Sequence, residues 1–469
     1  MHETFIGIDL GTTYLKGAVL NLHDMKLNHV ARLPFPDFIP NLPPSHKEVD
    51  AREVVDATRQ LILSLLTHAA NCRGIVICSQ MHGLVLCDAQ GHALSNIITW
   101  QDQRTNEPYT SGTGTYYDML CTMVSDSDRM ALGNDLWASR PLSILYWLYA
   151  HQDIPAHTTV MPVSLPDYVL ADLCEVTPVT EATNAAATGA FNLHTNNWHN
   201  TLITRAGLDG LSWCPIVPHG APIGELKISG SSIPCYTPFG DHQCALLGSF
   251  LQPDELSINV STGSQVSILS DHLGSALDYQ TRPFFDNQYL RAVIHIPAGR
   301  ALNALIRLLS ELAEQQCVHI PDPWAYINTV TGGHEHSNLR VNLAFFPSSC
   351  GDVGSIANMR EENMTIADIF MAAYESMADN YIQCARRIAF GSDYKRLVLS
   401  GGLVHRADGL SAIIKRKFGL PYRFPPSNED TLLGLLVMAL VFSGKSPSVQ
   451  AALSSVSDAY SAQPHASEA

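Results

Sequence analysis

No Cys-x-x-Cys pair occurs among the eleven cysteines of this 469-residue chain. Their scatter, from Cys72 to Cys384, offers neither a zinc site nor a disulfide framework and suits small buried residues in a reducing compartment. Basic charge is also scarce: 28 Lys and Arg against 44 Asp and Glu leave a formal charge of −16. A phosphate-tracking surface needs a basic excess or stripe, so a nucleic-acid partner is excluded. Lys415-Arg416-Lys417 reads as a solvated helix end. Long apolar runs are missing too; the richest stretch, Leu432 to Phe442, is too short to cross a bilayer and reads as a buried helix, so no membrane partner is expected. Met1-His2-Glu3-Thr4 has no basic region followed by an apolar core, so no secretory signal is expected and the location reads as cytoplasmic.

Length exceeds what one hydrophobic core organises, which predicts two or three domains and a cleft between them. Phe5 to Leu10 and Lys16 to Leu22 read as strands joined through Gly11-Thr12-Thr13. Small residues at such a tip let backbone N–H groups approach a ligand, hydroxyls add donors, and Asp9 at the strand end is placed to orient Mg²⁺ through water. The device recurs about 250 residues on: Glu255 to Val260 lead into Ser261-Thr262-Gly263-Ser264, then Gln265 to Leu269. Two hairpins of one design suggest an internal duplication whose tips grip one polyphosphate. A third turn, Gly401-Gly402, follows the strand Arg396 to Ser400 and is either a tight strand-to-helix turn or a place for a flat adenosine to lie on backbone. Between the hairpins, Gly240-Asp241-His242-Gln243 delivers an acid to the start of an apolar helix. Asp241 is there either an N-cap, worth about 1 kcal/mol, or a base held ionised by the helix terminus.

Asp9-Leu10-Gly11-Thr12-Thr13, Gln80-Met81-His82-Gly83, Trp100-Gln101-Asp102-Gln103-Arg104, Gly240-Asp241-His242-Gln243, Ser261-Thr262-Gly263-Ser264 and Ser400-Gly401-Gly402 stand in the order seen in FGGY carbohydrate kinases, which the chain resembles from about residue 5 to 440. The resemblance implies an α/β fold of two actin-like (ribonuclease H-like) domains around a cleft, with ATP and Mg²⁺ as cofactors and a small-molecule sugar as partner. It implies Asp241 as catalytic base and substrate ligand, and Asp9 beside the metal. Gln80, Met81, His82, Asp102 and Arg104 fall on the sugar side. Gly11, Thr12, Thr13, Lys16, Thr262, Gly263, Ser264, Gly299, Gly401 and Gly402 fall on the nucleotide side. Arg282 to Leu290, with the wording around Gln80 and Trp100, is most similar to sedoheptulokinases; xylulose kinases and a non-catalytic sugar sensor are the alternatives. Three positions depart from the family: Arg300 after Gly299, which either blocks phosphates or binds them; Leu403 after Gly402; and Gly434-Leu435-Leu436, which either narrows an adenine pocket or repacks a core.

The expected division is a sugar-binding domain over 1–250, a nucleotide-binding domain over 251–443 with the hinge near Gln252-Pro253-Asp254, and a flexible tail over 444–469. Ala182 to Gly189 is expected to form a close-packed turn. A homodimer is left open.

Overall fold

The computed structural model describes residues 2–461 except 229, 275, 335–336 and 390–393. Among these, the first large sheet has seven strands. Pro222–Ile228, Ser231–Tyr236, Cys72–Ser79, Thr4–Leu10, Tyr14–Asn21 and Lys26–Pro34 run in that order, and Phe239–Gly240 also pairs with Cys72–Ser79. Thr4–Leu10 is antiparallel to Tyr14–Asn21 and parallel to Cys72–Ser79, which sets Asp9 opposite both Lys16 and Cys78. Continuous burial of Thr4–Leu10 fits a central strand covered on both faces.

The second large sheet repeats this plan. Glu255–Val260 is antiparallel to Gly263–Ser270 and parallel to Arg396–Ser400, with Tyr289–Pro297, Gln280–Pro283 and Tyr422–Arg423 completing six strands. Both glycine-tipped hairpins therefore form as the sequence indicates, one at the centre of each sheet. Two sheets of one pattern with helices on them make the two-lobed, actin-like α/β fold. All eleven cysteines are free thiols. Among the described residues no helix is long and apolar enough to cross a membrane.

The chain end departs from the expected division. Helix Asp430–Phe442 is apolar on every side, and Leu432, Leu433, Leu435, Leu436 and Val437 are fully buried, as befits a helix enclosed all round. It packs on the first sheet and on helix Asp241–Gly248 rather than on the second lobe. Leu435 and Leu436 thus repack a core. The two helices touch through glycines: a Cβ on Gly248 would lie 1.8 Å from Asp430 O, and one on Gly434 2.1 Å from Cys244 O. The expected tail is also helical over Val449–Ser461, because Val449, Ala452, Leu453 and Val456 recur on one face and bury it in the same core; residues 462–469 lie outside the described set.

The chain therefore passes between the lobes twice. Arg423 joins the two crossings: Nη1 and Nη2 donate to Ser249 O and Phe250 O at 2.7 and 2.9 Å, and Nε donates to Glu255 Oε1 at 2.8 Å. Ala182–Ala186, expected as a turn, is a short buried helix capped by Glu181.

Candidate active site

Helix Asp241–Gly248 begins where Phe239–Gly240 leaves the first sheet, so Asp241 emerges beside the ends of the central strands. The N-cap is Gly240, without a side-chain cap; Asp241 is the first helical residue, and its Oδ1 accepts from His242 N at 2.7 Å. That corrects the N-cap reading. A cavity of about 210 Å³ opens at the carboxylate, walled by Asp241, Asp430 and Thr431 on one side and by Asn259, Gln265 and Ser400 of the second sheet on the other. Acids from one lobe thus face strand ends of the other.

Three carboxylates gather here, Asp9 buried and Asp241 and Asp430 half-buried. Thr431 Oγ1 donates to Asp9 Oδ2 at 2.8 Å, while Asp9 Oδ1 is buried without a partner. Burial raises Asp9 above the usual carboxylate range. Burial, then the charges of Asp9 and Asp430, pushes Asp241 up to about 7, and burial with Asp9 and Glu429 pushes Asp430 up to about 6. The helix terminus therefore does not hold Asp241 ionised, contrary to the sequence expectation. Desolvation and like charge outweigh a dipole worth about 0.3–1 kcal/mol.

On the first hairpin, Thr12 and Thr13 are exposed at the tip, and a Cβ on Gly11 would meet Tyr14 O at 2.8 Å. Gln80 ties this tip down: its Nε2 donates to Gly11 O at 3.3 Å and its Oε1 accepts from Thr12 Oγ1 at 3.3 Å. Trp100 Nε1 adds a bond to Thr12 Oγ1 at 3.2 Å. Lys16 is engaged by Glu429 at 3.3 Å.

At the second tip, Thr262 and Gly263 are exposed. Gly299 and Gly401 close on it: their Cβ atoms would fall 2.8 Å from Ser261 O and 2.3 Å from Val260 O, and Gly401 sits at φ +93°. Gly402 opens to free space. Ser264, expected on the nucleotide side, turns inward; it is fully buried and pairs with Tyr381 OH at 2.8 Å. Strand alternation accounts for this, since residues next to an exposed tip glycine point back into the lobe. Arg300 lies over the Phe346 ring, 4.3 Å from its centroid.

Met81 lies against the Asp241 turn, because a Cβ on Gly240 would come within 3.0 Å of its Sδ. His82 occupies a left-handed backbone conformation at φ +71°. Its Nδ1–H donates to Ala187 O at 2.8 Å, and burial drives its pKa well down, leaving a neutral ring with Nε2 as acceptor. Asp102 and Arg104 do not line the cavity at Asp241. Both are buried, and Arg104 Nε and Nη2 donate to Asp102 at 2.9 Å each, while Nη2 also reaches Glu48 at 2.5 Å. Because Asp102 also accepts from Lys47 N at 2.8 Å, the pair clamps the loop that leads into residues 48–49.

Asp430, Thr431 and Asp135 are not marked as site residues by the sequence, and Arg282 enters there only as the start of the run Arg282 to Leu290. The first two were signalled by an acid and a hydroxyl directly ahead of an apolar helix; nothing local marks Asp135.

Residues 4–248 match the family model described as the FGGY family of carbohydrate kinases, N-terminal domain. The chain belongs to the FGGY family of carbohydrate kinases. This FGGY kinase is 21% identical to the sedoheptulokinase of Mus musculus over 92% of its own length and 96% of the relative's. It is 28% identical to the xylulose kinase of Staphylococcus xylosus over 65% of itself and 64% of that protein. Its fold superposes on gluconate kinase from Lactobacillus acidophilus with a TM-score of 0.82 at 17% identity, covering 98% and 96% of the two chains. An FGGY kinase is an enzyme that phosphorylates a carbohydrate.

Proposed function

We propose that this FGGY kinase transfers the γ-phosphoryl group of ATP to a primary hydroxyl of a ketose, converting sedoheptulose to sedoheptulose 7-phosphate in the cytoplasm, with Asp241 as general base. One observation carries the base assignment: Asp241 is a half-buried carboxylate pushed up to about 7, lining a cavity built from both lobes. A base poised near the working pH accepts a hydroxyl proton with good driving force. Sedoheptulose is favoured because the mouse sedoheptulokinase matches nearly the whole chain.

The donor set fits Mg²⁺. Asp9 Oδ1 is a buried oxygen without a partner. Among the described residues no three His, Cys, Asp or Glu side chains form a cage, and Mg²⁺ commonly takes one or two carboxylates plus water and substrate phosphates. Asp9 would hold the ion, which supplies charge neutralisation at the phosphates. Backbone N–H groups at Gly11 to Thr13 and Thr262 to Gly263 cradle the phosphates, and Gly401-Gly402 receive the adenosine. His82 Nε2 accepts from a sugar hydroxyl, and Gln80 keeps the first tip in place. Closure of the lobes excludes water as a rival acceptor.

ADP release from ATP, assayed over sedoheptulose, xylulose, ribulose, gluconate and glycerol, tests the reading. The highest kcat/KM belongs to sedoheptulose; a preference for xylulose, which the 28% relative favours, replaces it. Asp241→Asn lowers kcat by about 10²–10⁴ with sugar affinity retained; near-normal turnover removes Asp241 as base.

A further inference from the structure

Arg282 stands on strand Gln280–Pro283 of the second sheet, yet its guanidinium is buried against the first lobe. Nε donates to Asp135 Oδ2 at 2.9 Å, and Nη1 donates to His242 Nδ1 at 3.2 Å. The second bond fixes the His242 tautomer, so Nε2–H is the atom shared with Ser267 Oγ at 3.3 Å. Asp135 Oδ1 meanwhile holds Arg140 at 2.5 Å. One carboxylate thus serves two guanidinium groups in a buried place, and the positive charge is in excess.

Two donors, one in this cluster and one two residues along the chain from Asp135, are left over. Arg282 Nη2 is buried without an acceptor, although the side chain is only 4% exposed. Trp137 Nε1, two residues from Asp135, is also buried without one, and its ring packs edge-on against His295 at 5.6 Å. A charged N–H withheld from water and from any acceptor is costly, so it persists where something else supplies the oxygen. Arg282 bonds the residue that follows Asp241, and its Nη1 lies 3.8 Å from Met81 Sδ. Arg282 therefore lies in the cluster that touches the turn carrying the proposed base, and Trp137 stands two residues along the chain from Asp135, the partner of Arg282.

We propose that Arg282 Nη2 and Trp137 Nε1 bind oxygen atoms of the acceptor sugar, so that the second lobe takes part in choosing the sugar and holds it against the first. This rests on the reading of Asp241 as the base of sugar phosphorylation. The donors take a ligand rich in acceptor oxygens, which a polyhydroxy chain supplies, whereas an apolar or cationic group leaves them unpaired. Arg282 acts at the same time as a positioning residue for His242 and Asp135.

Trp137→Phe removes one donor and keeps the ring; Arg282→Lys keeps the charge and loses the fork. Titration calorimetry with sedoheptulose, without ATP, reads binding apart from turnover. Each variant raises the sugar Kd about tenfold or more, while the KM for MgATP stays within about twofold. Against single-deoxy analogues of the sugar, each variant loses nothing further on the analogue that lacks the oxygen it would have bound. An unchanged sugar Kd in Trp137→Phe, or an equal penalty on every analogue, overturns the proposal. If Arg282→Lys fails to fold, Trp137→Phe alone decides. If the wild type binds the sugar and Trp137→Phe binds it more weakly, while neither transfers phosphate, the donors stand and the kinase reading of Asp241 falls.

Discussion

Thr431 donates its hydroxyl to Asp9 across 422 positions of sequence, at 2.8 Å. The first strand of the chain and its last long apolar helix meet in that bond, which settles one oxygen of Asp9 and leaves the other open. Thr431→Val keeps the shape and removes the donor, so a buried carboxylate oxygen goes unpaired at a cost of about 1–3 kcal/mol. Thermal denaturation reads the loss, and the KM for MgATP rises in the same variant; an unchanged KM detaches Thr431 from the nucleotide site.

With Asp241 pushed up to about 7, the sign of the pH dependence follows. A base works deprotonated, so lowering the pH below 7 protonates it. The rate with both substrates below saturation then falls by about tenfold per pH unit on the acid side. A rate that stays level down to pH 5 contradicts the assignment.

Gly248 and Gly434 let two helices touch, and no side chain fits between them. Gly434→Ala places a methyl 2.1 Å from Cys244 O and loses about 1–3 kcal/mol or more, as overpacking does. Activity falls with it, because the same crossing sets Asp430 and Thr431 beside Asp241. Gly210→Ala, where an added Cβ meets nothing within 4 Å, leaves both the melting temperature and the rate unchanged.

Local pattern carried the hairpins, since alternation and glycine tips are written within a dozen residues. The buried helix at Leu432 was equally plain from its apolar run. Ser264 was misread because a hydroxyl beside a tip glycine looks the same whether it faces ligand or core, and only Tyr381, 117 positions away, decides. The bond of Arg104 to Glu48 lies beyond local pattern in the same way, because its partner stands 56 positions away. The ionisation of Asp241 is a property of its neighbours. Asp9 and Asp430 come from opposite ends of the chain, and no window of sequence contains them both.

The Arg423 clasp has a mechanical consequence. A single covalent tether lets two bodies swivel freely, but a pair of tethers side by side behaves like a door hinge with two knuckles. Twisting of one lobe on the other is resisted.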